Sequence, residues 1–240
     1  VYGQPDPTEL GGGGGDVLRA AGVDVTGGLL AEEATAVNEE WTFAVVHGRP
    51  FVTWKCAASL DGRVAGADGG PTPITGAASR ADVHELRSRV GAIIVGTGTV
   101  LVDDPLLTVR RPGGPVPTPP LRVVVGSRPI PDGARALDDS APTLVTGERD
   151  PGVLLADLYG RGVRHALLEG GPTLAGAFLD ARVIDRVEWY VAPLLLGAGP
   201  VALPASTRGA TPPGLDVLGI DVIGEDVRVI GRVRYQEAGA

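Results

Sequence analysis

The sequence predicts an α/β fold: a mixed, mostly parallel sheet flanked by helices and closed by a C-terminal antiparallel hairpin. Three observations carry that expectation. From about residue 50 onward, short continuous apolar runs of strand length alternate with segments of helical period. Glycine and proline cluster between those segments rather than inside them. The last apolar runs follow one another without helices between them, so the chain has to double back there.

Residues 1–15 hold Pro5-Asp6-Pro7 and the glycine run Gly11 to Gly15, and read as a flexible connection. Asp16 is a candidate N-cap for a short helix through Ala21, with Gly22 as its stop. Residues 31–47 read as one helix, with Glu32 and Glu33 suiting its first turn. Arg49-Pro50 then punctuates the chain. The domain boundary is placed here, with 1–49 as a connecting segment and 50–240 as the main domain. Residues 51–57 are rich in β-formers and predict a strand. Residues 79–90 predict a helix, with Val83, Leu86 and Val90 on one face. Apolar strands of the doubly buried kind are expected at 92–95, 121–125, 143–145 and 165–168, with helices at 154–161 and 174–181. Strands at 186–191, 216–223 and 227–235 end the chain, and 111–120 and 197–214 read as loops.

Composition narrows the function classes. The 240 residues are 43% hydrophobic and 21% charged, enough for one large core. A net charge of −8 without long like-charge runs lacks the basic footprint of nucleic-acid binding, but leaves room for a local basic pocket. Cys56 is the only cysteine, so neither an intramolecular disulfide nor a cysteine-based zinc site is available, which fits a reducing compartment. No apolar stretch reaches the roughly 18 residues of a membrane span, and no signal-peptide pattern is visible. Methionine is absent even at position 1, so the chain is expected to be a piece of something longer.

Ligands of open α/β sheets lie where strand ends lead into helix N-termini. Two segments have that form: 92–95 running into Gly96-Thr97-Gly98-Thr99, and 165–168 running into Glu169-Gly170-Gly171-Pro172-Thr173-Leu174. Glycines there let backbone N–H groups approach an anion. Neither is a dinucleotide fingerprint or a Walker loop, and each alone is as compatible with a structural turn. Two in one sheet favour a ligand that carries phosphates. Glu169, at a strand end before two glycines, faces either the ligand crevice or solvent. Lys55 interrupts an apolar run, where the bland reading is an edge or outward-facing residue. By the same logic Arg87 reads as a surface charge, Asp103-Asp104-Pro105 as a turn, and Arg110 as the start of a loop. His47, His84 and His165 share no metal-ligand spacing and no G-x-S-x-G occurs, so hydrolase chemistry has little support and no metal is expected. Cys56 reads as a small core residue.

Taken together, several strings resemble one family. They are 55–63 (KCAASLDGR), Ile74-Thr75-Gly76, the helix ending at Leu86-Arg87, 92–100 (AIIVGTGTV) with 103–110 (DDPLLTVR), and 169–176 (EGGPTLAG). Their order and spacing resemble the reductase domain of the bifunctional riboflavin-biosynthesis deaminase/reductase, from about residue 50 to the end. Residues 3–49 resemble the junction to its upstream deaminase. The deaminase's zinc signature, H-x-E with P-C-x-x-C, is missing from this chain. The resemblance implies a dihydrofolate-reductase-like fold, a cytoplasmic homodimer, and reduction of 5-amino-6-(5-phosphoribosylamino)uracil at the ribose C1′ by NADPH. It implies catalytic roles for Lys55, Asp103 and Glu169, and substrate contacts for Arg87, Leu107, Arg110 and Glu169. It implies cofactor contacts for Ala57, Gly96, Thr99, Asp103, Ser127, Gly170, Gly171, Pro172, Thr173 and Leu174, with Arg128 as a candidate for the 2′-phosphate. One departure stands out. Where the family usually has Ser-x-Trp before Ile-Thr, this chain has Pro71-Thr72-Pro73, without that hydroxyl or indole. A same-fold reductase with another substrate, and a non-catalytic binding module, are the alternatives.

Overall fold

The structure is a computed structural model describing residues 1–110, 114, 116–203 and 212–236. β1 (Phe51–Ser59) is built from β-branched and aromatic residues and lies near the middle of an eight-stranded sheet. To one side of it lie β5 (His165–Leu168), β2 (Ala92–Gly96), β3 (Leu121–Val125) and β4 (Thr143–Thr146). To the other lie β6 (Arg186–Ala192), β8 (Asp226–Arg234) and β7 (Gly214–Ile223), giving the order β4-β3-β2-β5-β1-β6-β8-β7. The first six strands pair in parallel, and β8 runs antiparallel to both of its neighbours. The expected mixed, mostly parallel sheet with its terminal hairpin is present.

The chain steps from β1 through β2 and β3 to β4 at the edge, then returns to insert β5 between β2 and β1. Crossovers in opposite directions put their helices on opposite faces, because each is right-handed. α4 (Ala77–Arg87) and α5 (Thr97–Asp103) cover one face, where Leu86, Val90 and Val100 pack on Ile93, Val95, Val124 and Leu167. α6 (Pro151–Gly160) and α7 (Pro172–Asp180) cover the other, where Leu155, Leu158 and Phe178 pack on Trp54, Ile94, Val123 and Leu168. Alternation along β1 therefore sends Trp54 and Cys56 into a core and Lys55 and Ala57 to the α4–α5 face. Burial pushes the Cys56 thiol up to about 12, in keeping with an inert core residue.

Several local expectations are corrected. The short first helix, α1 (Gly14–Ala20), starts after Gly13 in the left-handed region; Asp16 lies within its first turn and pairs with Arg19 instead of capping. The single helix expected over 31–47 is two, α2 (Ala31–Val37) and α3 (Glu39–His47), broken at Asn38 where φ is −119°. α6 begins three residues early because the Asp150 carboxylate accepts from the N–H groups of Gly152 and Val153 while Pro151 takes the first helical position. α5 takes in Asp103, read as part of a turn, and ends at Asp104 in the left-handed region; its seven residues are too few for periodicity to show its extent. Part of each expected loop, 111–113 and 115 in one and 204–211 in the other, lies outside the described residues.

α3 is tied to the sheet. Arg186 on β6 pairs with Glu39 and Glu40, and Arg49 grips Asp185 in a two-pronged pair with both distances 2.8 Å. Phe43 meets the ring of Phe51 edge-on, 5.3 Å between centroids. His165, beneath this layer, shares a 2.9 Å hydrogen bond with Thr53, and burial pushes its imidazole down to about 4.

Candidate active site

The C-terminal ends of β1, β5, β2 and β3 open into a cleft of about 920 Å³, at the upper end of the range for small-molecule sites. It lies on the α4–α5 side, where the topology predicts a ligand. Both glycine-containing turns singled out in the sequence reach it: Gly96 to Thr99 after β2, and Glu169 with Gly171 to Leu174 after β5.

At one end stands Glu169. Its carboxylate is buried and receives Nε and Nη2 of Arg87 at 2.6 and 2.8 Å. Burial alone would raise this carboxyl, but the Arg87 guanidinium and the Lys55 ammonium outweigh that and hold it below its ordinary range. Glu169 is thus held as an anion in the cleft, and the solvated alternative falls. Arg87 is no surface charge either; its side chain is 13% exposed, and Nη1 also donates to the Thr108 carbonyl at 3.3 Å.

Lys55 comes from β1, fifth strand of the sheet, so the edge-strand reading also falls. Its Nζ lies 6.0 Å from the centroid of the Tyr190 ring. The Tyr190 hydroxyl donates to Asp82 at 2.6 Å, and Arg228 holds the same carboxylate at 2.7 Å. Asp103, the last residue of α5, is exposed at the cleft rim, where partial desolvation raises its carboxyl pKa.

The far end is open. Ser127, Arg128 and Arg149 are exposed, and Arg149 donates to the Ser127 hydroxyl at 2.8 Å. The Arg128 guanidinium lies against Gly98 so closely that a side chain there would strike it. Between the two ends the first N–H groups of α7 have no side-chain cap, and Gly171 leaves the approach to them clear. Glycine edges, uncapped N–H groups and exposed guanidiniums fit a phosphate-bearing nicotinamide cofactor.

The cleft gathers the named candidates with two exceptions. Leu107 does not line it; its side chain is 2% exposed in the α4–α5 core, with φ +51°. Gly170 also stands back, and an added Cβ there would meet Leu174 at 2.6 Å, so this glycine serves packing. Of the departing segment, Thr72 and Pro73 line the wall and Pro71 does not. The Thr72 hydroxyl donates to the Gly70 carbonyl and accepts from the Gly66 N–H, placing a hydroxyl one position from the expected serine. His84 and Arg149 were missed by sequence reasoning, because neither belongs to a spacing pattern and only the fold brings them to the cleft.

Residues 50–229 match the family model of the RibD C-terminal domain. The chain belongs to this family. It is 51% identical over 203 residues to the riboflavin biosynthesis protein RibD of Mycobacterium tuberculosis (strain H37Rv), covering 84% of this chain and 59% of that protein. The chain thus spans about three-fifths of that relative's length. Among solved structures, Acinetobacter baumannii RibD superposes with a TM-score of 0.87 at 30% identity, covering 96% of this chain and 71% of the other. A Thermotoga maritima protein described as a diaminohydroxyphosphoribosylaminopyrimidine deaminase/5-amino-6-(5-phosphoribosylamino)uracil reductase superposes at 0.84 with 28% identity, covering 97% and 71%. Among the described residues no helix is long and apolar enough to cross a membrane.

Proposed function

We propose that this domain is an oxidoreductase of riboflavin biosynthesis, reducing 5-amino-6-(5-phosphoribosylamino)uracil to its ribitylamino product with NADPH. The observation that carries the reading is the meeting of Lys55 with the Arg87–Glu169 pair at the head of the cleft, in a member of the RibD C-terminal family. The glycine edges would hold NADPH, which would supply the hydride for the ribose C1′. Lys55 protonates the ribose ring oxygen as the C1′–O bond opens, which leaves an imine-level carbon. Glu169, held as an anion, accepts hydrogen bonds from the substrate and takes part in its proton traffic. Asp103 at the rim, with its raised carboxyl, joins that proton traffic and borders the cofactor. Arg87 and Arg110 receive the substrate phosphate, Arg87 with the donors that Glu169 leaves free. The turn containing Leu107 and Thr108 contributes backbone only.

Ala57, Gly96, Thr99, Ser127 and the turn from Gly171 to Leu174 hold the cofactor, with Arg128 on its 2′-phosphate. Residues 1–49 join this domain to an upstream segment. The domain pairs with a second copy through β7, an edge strand on which Val217, Ile220 and Val222 are 57%, 65% and 76% exposed.

The test is NADPH consumption with the genuine pathway compound. Turnover to a product two hydrogens heavier is expected. Pro73 at the cofactor wall favours one second reading, a same-fold reductase with another substrate. NADPH binding without turnover of the pathway compound would select it, and no cofactor binding at all would leave a binding module.

A further inference from the structure

α4 brings His84 into the cleft one turn before Arg87, beside the loop that carries Arg110. Arg110 approaches the imidazole twice: its backbone N–H lies 3.2 Å from Nδ1, and its Nε lies 3.3 Å from Nε2. A neutral imidazole has one acceptor nitrogen and one N–H. It satisfies one of these donors and turns a donor toward the other. The backbone N–H is fixed by the chain, so it takes Nδ1, and the ring proton then sits on Nε2 facing the guanidinium. The Thr108 backbone also bears on the ring, but the single lone pair of a neutral imidazole still cannot accept from both Arg110 donors. An anion placed between Nε2 and the Arg110 guanidinium would accept from both and remove the conflict.

We infer that His84 is a third ligand of the substrate phosphate, donating through Nε2 beside Arg110 and taking up a proton as the phosphate binds. The inference rests on the proposed phosphate site. The groups facing His84 are Arg87 on its own helix, Arg110 from the loop after α5, and Glu169 at the end of β5; Arg80, a turn earlier on α4, also lines the cleft. Burial, Arg87 and Arg110 hold the imidazole below its ordinary 6.5, against a weaker opposing pull from Glu169 and the Thr108 backbone. A phosphate adds up to two negative charges at this point and reverses that balance. Proton uptake then makes phosphate binding tighter as pH falls through the imidazole range, by about tenfold for each unit that the pKa rises.

The experiment follows the ¹⁵N signals of the imidazole in the full chain, assigned with His84→Gln, with and without ribose 5-phosphate, and measures Kd for that compound across pH. Titration of His84 is expected to move up by about one unit or more in the complex. His84→Ala is expected to weaken ribose 5-phosphate about tenfold at the acid end. His84→Gln, which keeps a neutral donor, should restore binding at the alkaline end and flatten the pH dependence. NADPH affinity serves as the check on folding, because the cofactor occupies the other end of the cleft. A His84 titration unmoved by the ligand, with His84→Gln binding like wild type at every pH, overturns the inference. If Arg110→Ala still abolishes binding, the phosphate site itself survives. Ribose 5-phosphate that fails to bind, or binds equally well to Arg110→Ala, overturns the phosphate reading and this inference with it.

Discussion

The two ends of the cleft are built differently. At the proposed substrate end Arg87 and Glu169 are locked together, their side chains 13% and 9% exposed, and Lys55 adds its field from the middle of the sheet. At the other end, the proposed cofactor end, Arg128, Arg149 and Ser127 stand in solvent, held by one hydrogen bond between them. The charges at the first end are fixed by the fold itself, as the proposed chemistry would require of a preorganised site. Those at the second are held by little within the chain. Damage at the first end should reach both stability and chemistry, and damage at the second should reach affinity alone.

The largest effect should come from breaking the buried pair. Arg87→Ala leaves the Glu169 carboxylate desolvated and alone, and is expected to cost about 3–5 kcal/mol of stability. Urea unfolding measures it, and a loss below about 1 kcal/mol would mean the pair is no more than a surface bridge. Lys55→Ala separates chemistry from stability at the same end. Activity should fall by at least about 10²-fold with a smaller loss of stability than Arg87→Ala, since Lys55 gives Glu169 only its field and makes no described ion pair.

Acid distinguishes the locked pair from the α3 contact. The carboxyl of Glu169 has a lowered folded pKa, so its contribution is complete above the ordinary 4.5 and fades only as pH falls through the lower folded value. His165 behaves in the other sense. Its folded pKa of about 4 lies below the ordinary 6.5, so the unfolded chain takes the proton first and stability drains as pH falls from 6.5 to 4. Between those limits hydrogen exchange should quicken in α3 while α4 and α7 stay protected. Uniform loss of protection would show that α3 and the cleft unfold together. The smallest effect is expected at the exposed end. Arg128→Ala or Arg149→Ala should weaken NADPH by about 1 kcal/mol, roughly fivefold, and leave NADH unchanged. Equal losses for both cofactors would remove these residues from 2′-phosphate recognition.

The same contrast explains what could be read in advance. The sheet was legible because β2, β3 and β5 are buried on both faces and read as unbroken apolar runs. Glu169 was legible only as a choice between crevice and solvent, and its pairing with Arg87 decides for the cleft. Lys55 and Arg87, read singly, looked like surface charges. Their burial depends on β5 being inserted between β1 and β2 from far along the chain, which no local pattern encodes. The break at Asn38 and the brevity of α5 escaped for a related reason: tertiary contacts decide short helices. His84 needed the fold, since its partner Arg110 is 26 residues away. Trp54, beside Lys55 in sequence, is turned by the pleat into the opposite core, 5.4 Å from Trp189.

The most direct test of the account is the fate of the hydride. The purified chain would be given NADPH labelled with deuterium at the transferring position of C4, together with 5-amino-6-(5-phosphoribosylamino)uracil, and the product examined by NMR. One deuterium in the C1′ methylene of a ribityl chain is the predicted result. Deuterium in the pyrimidine ring, or label retained in the cofactor while it stays bound, would contradict it.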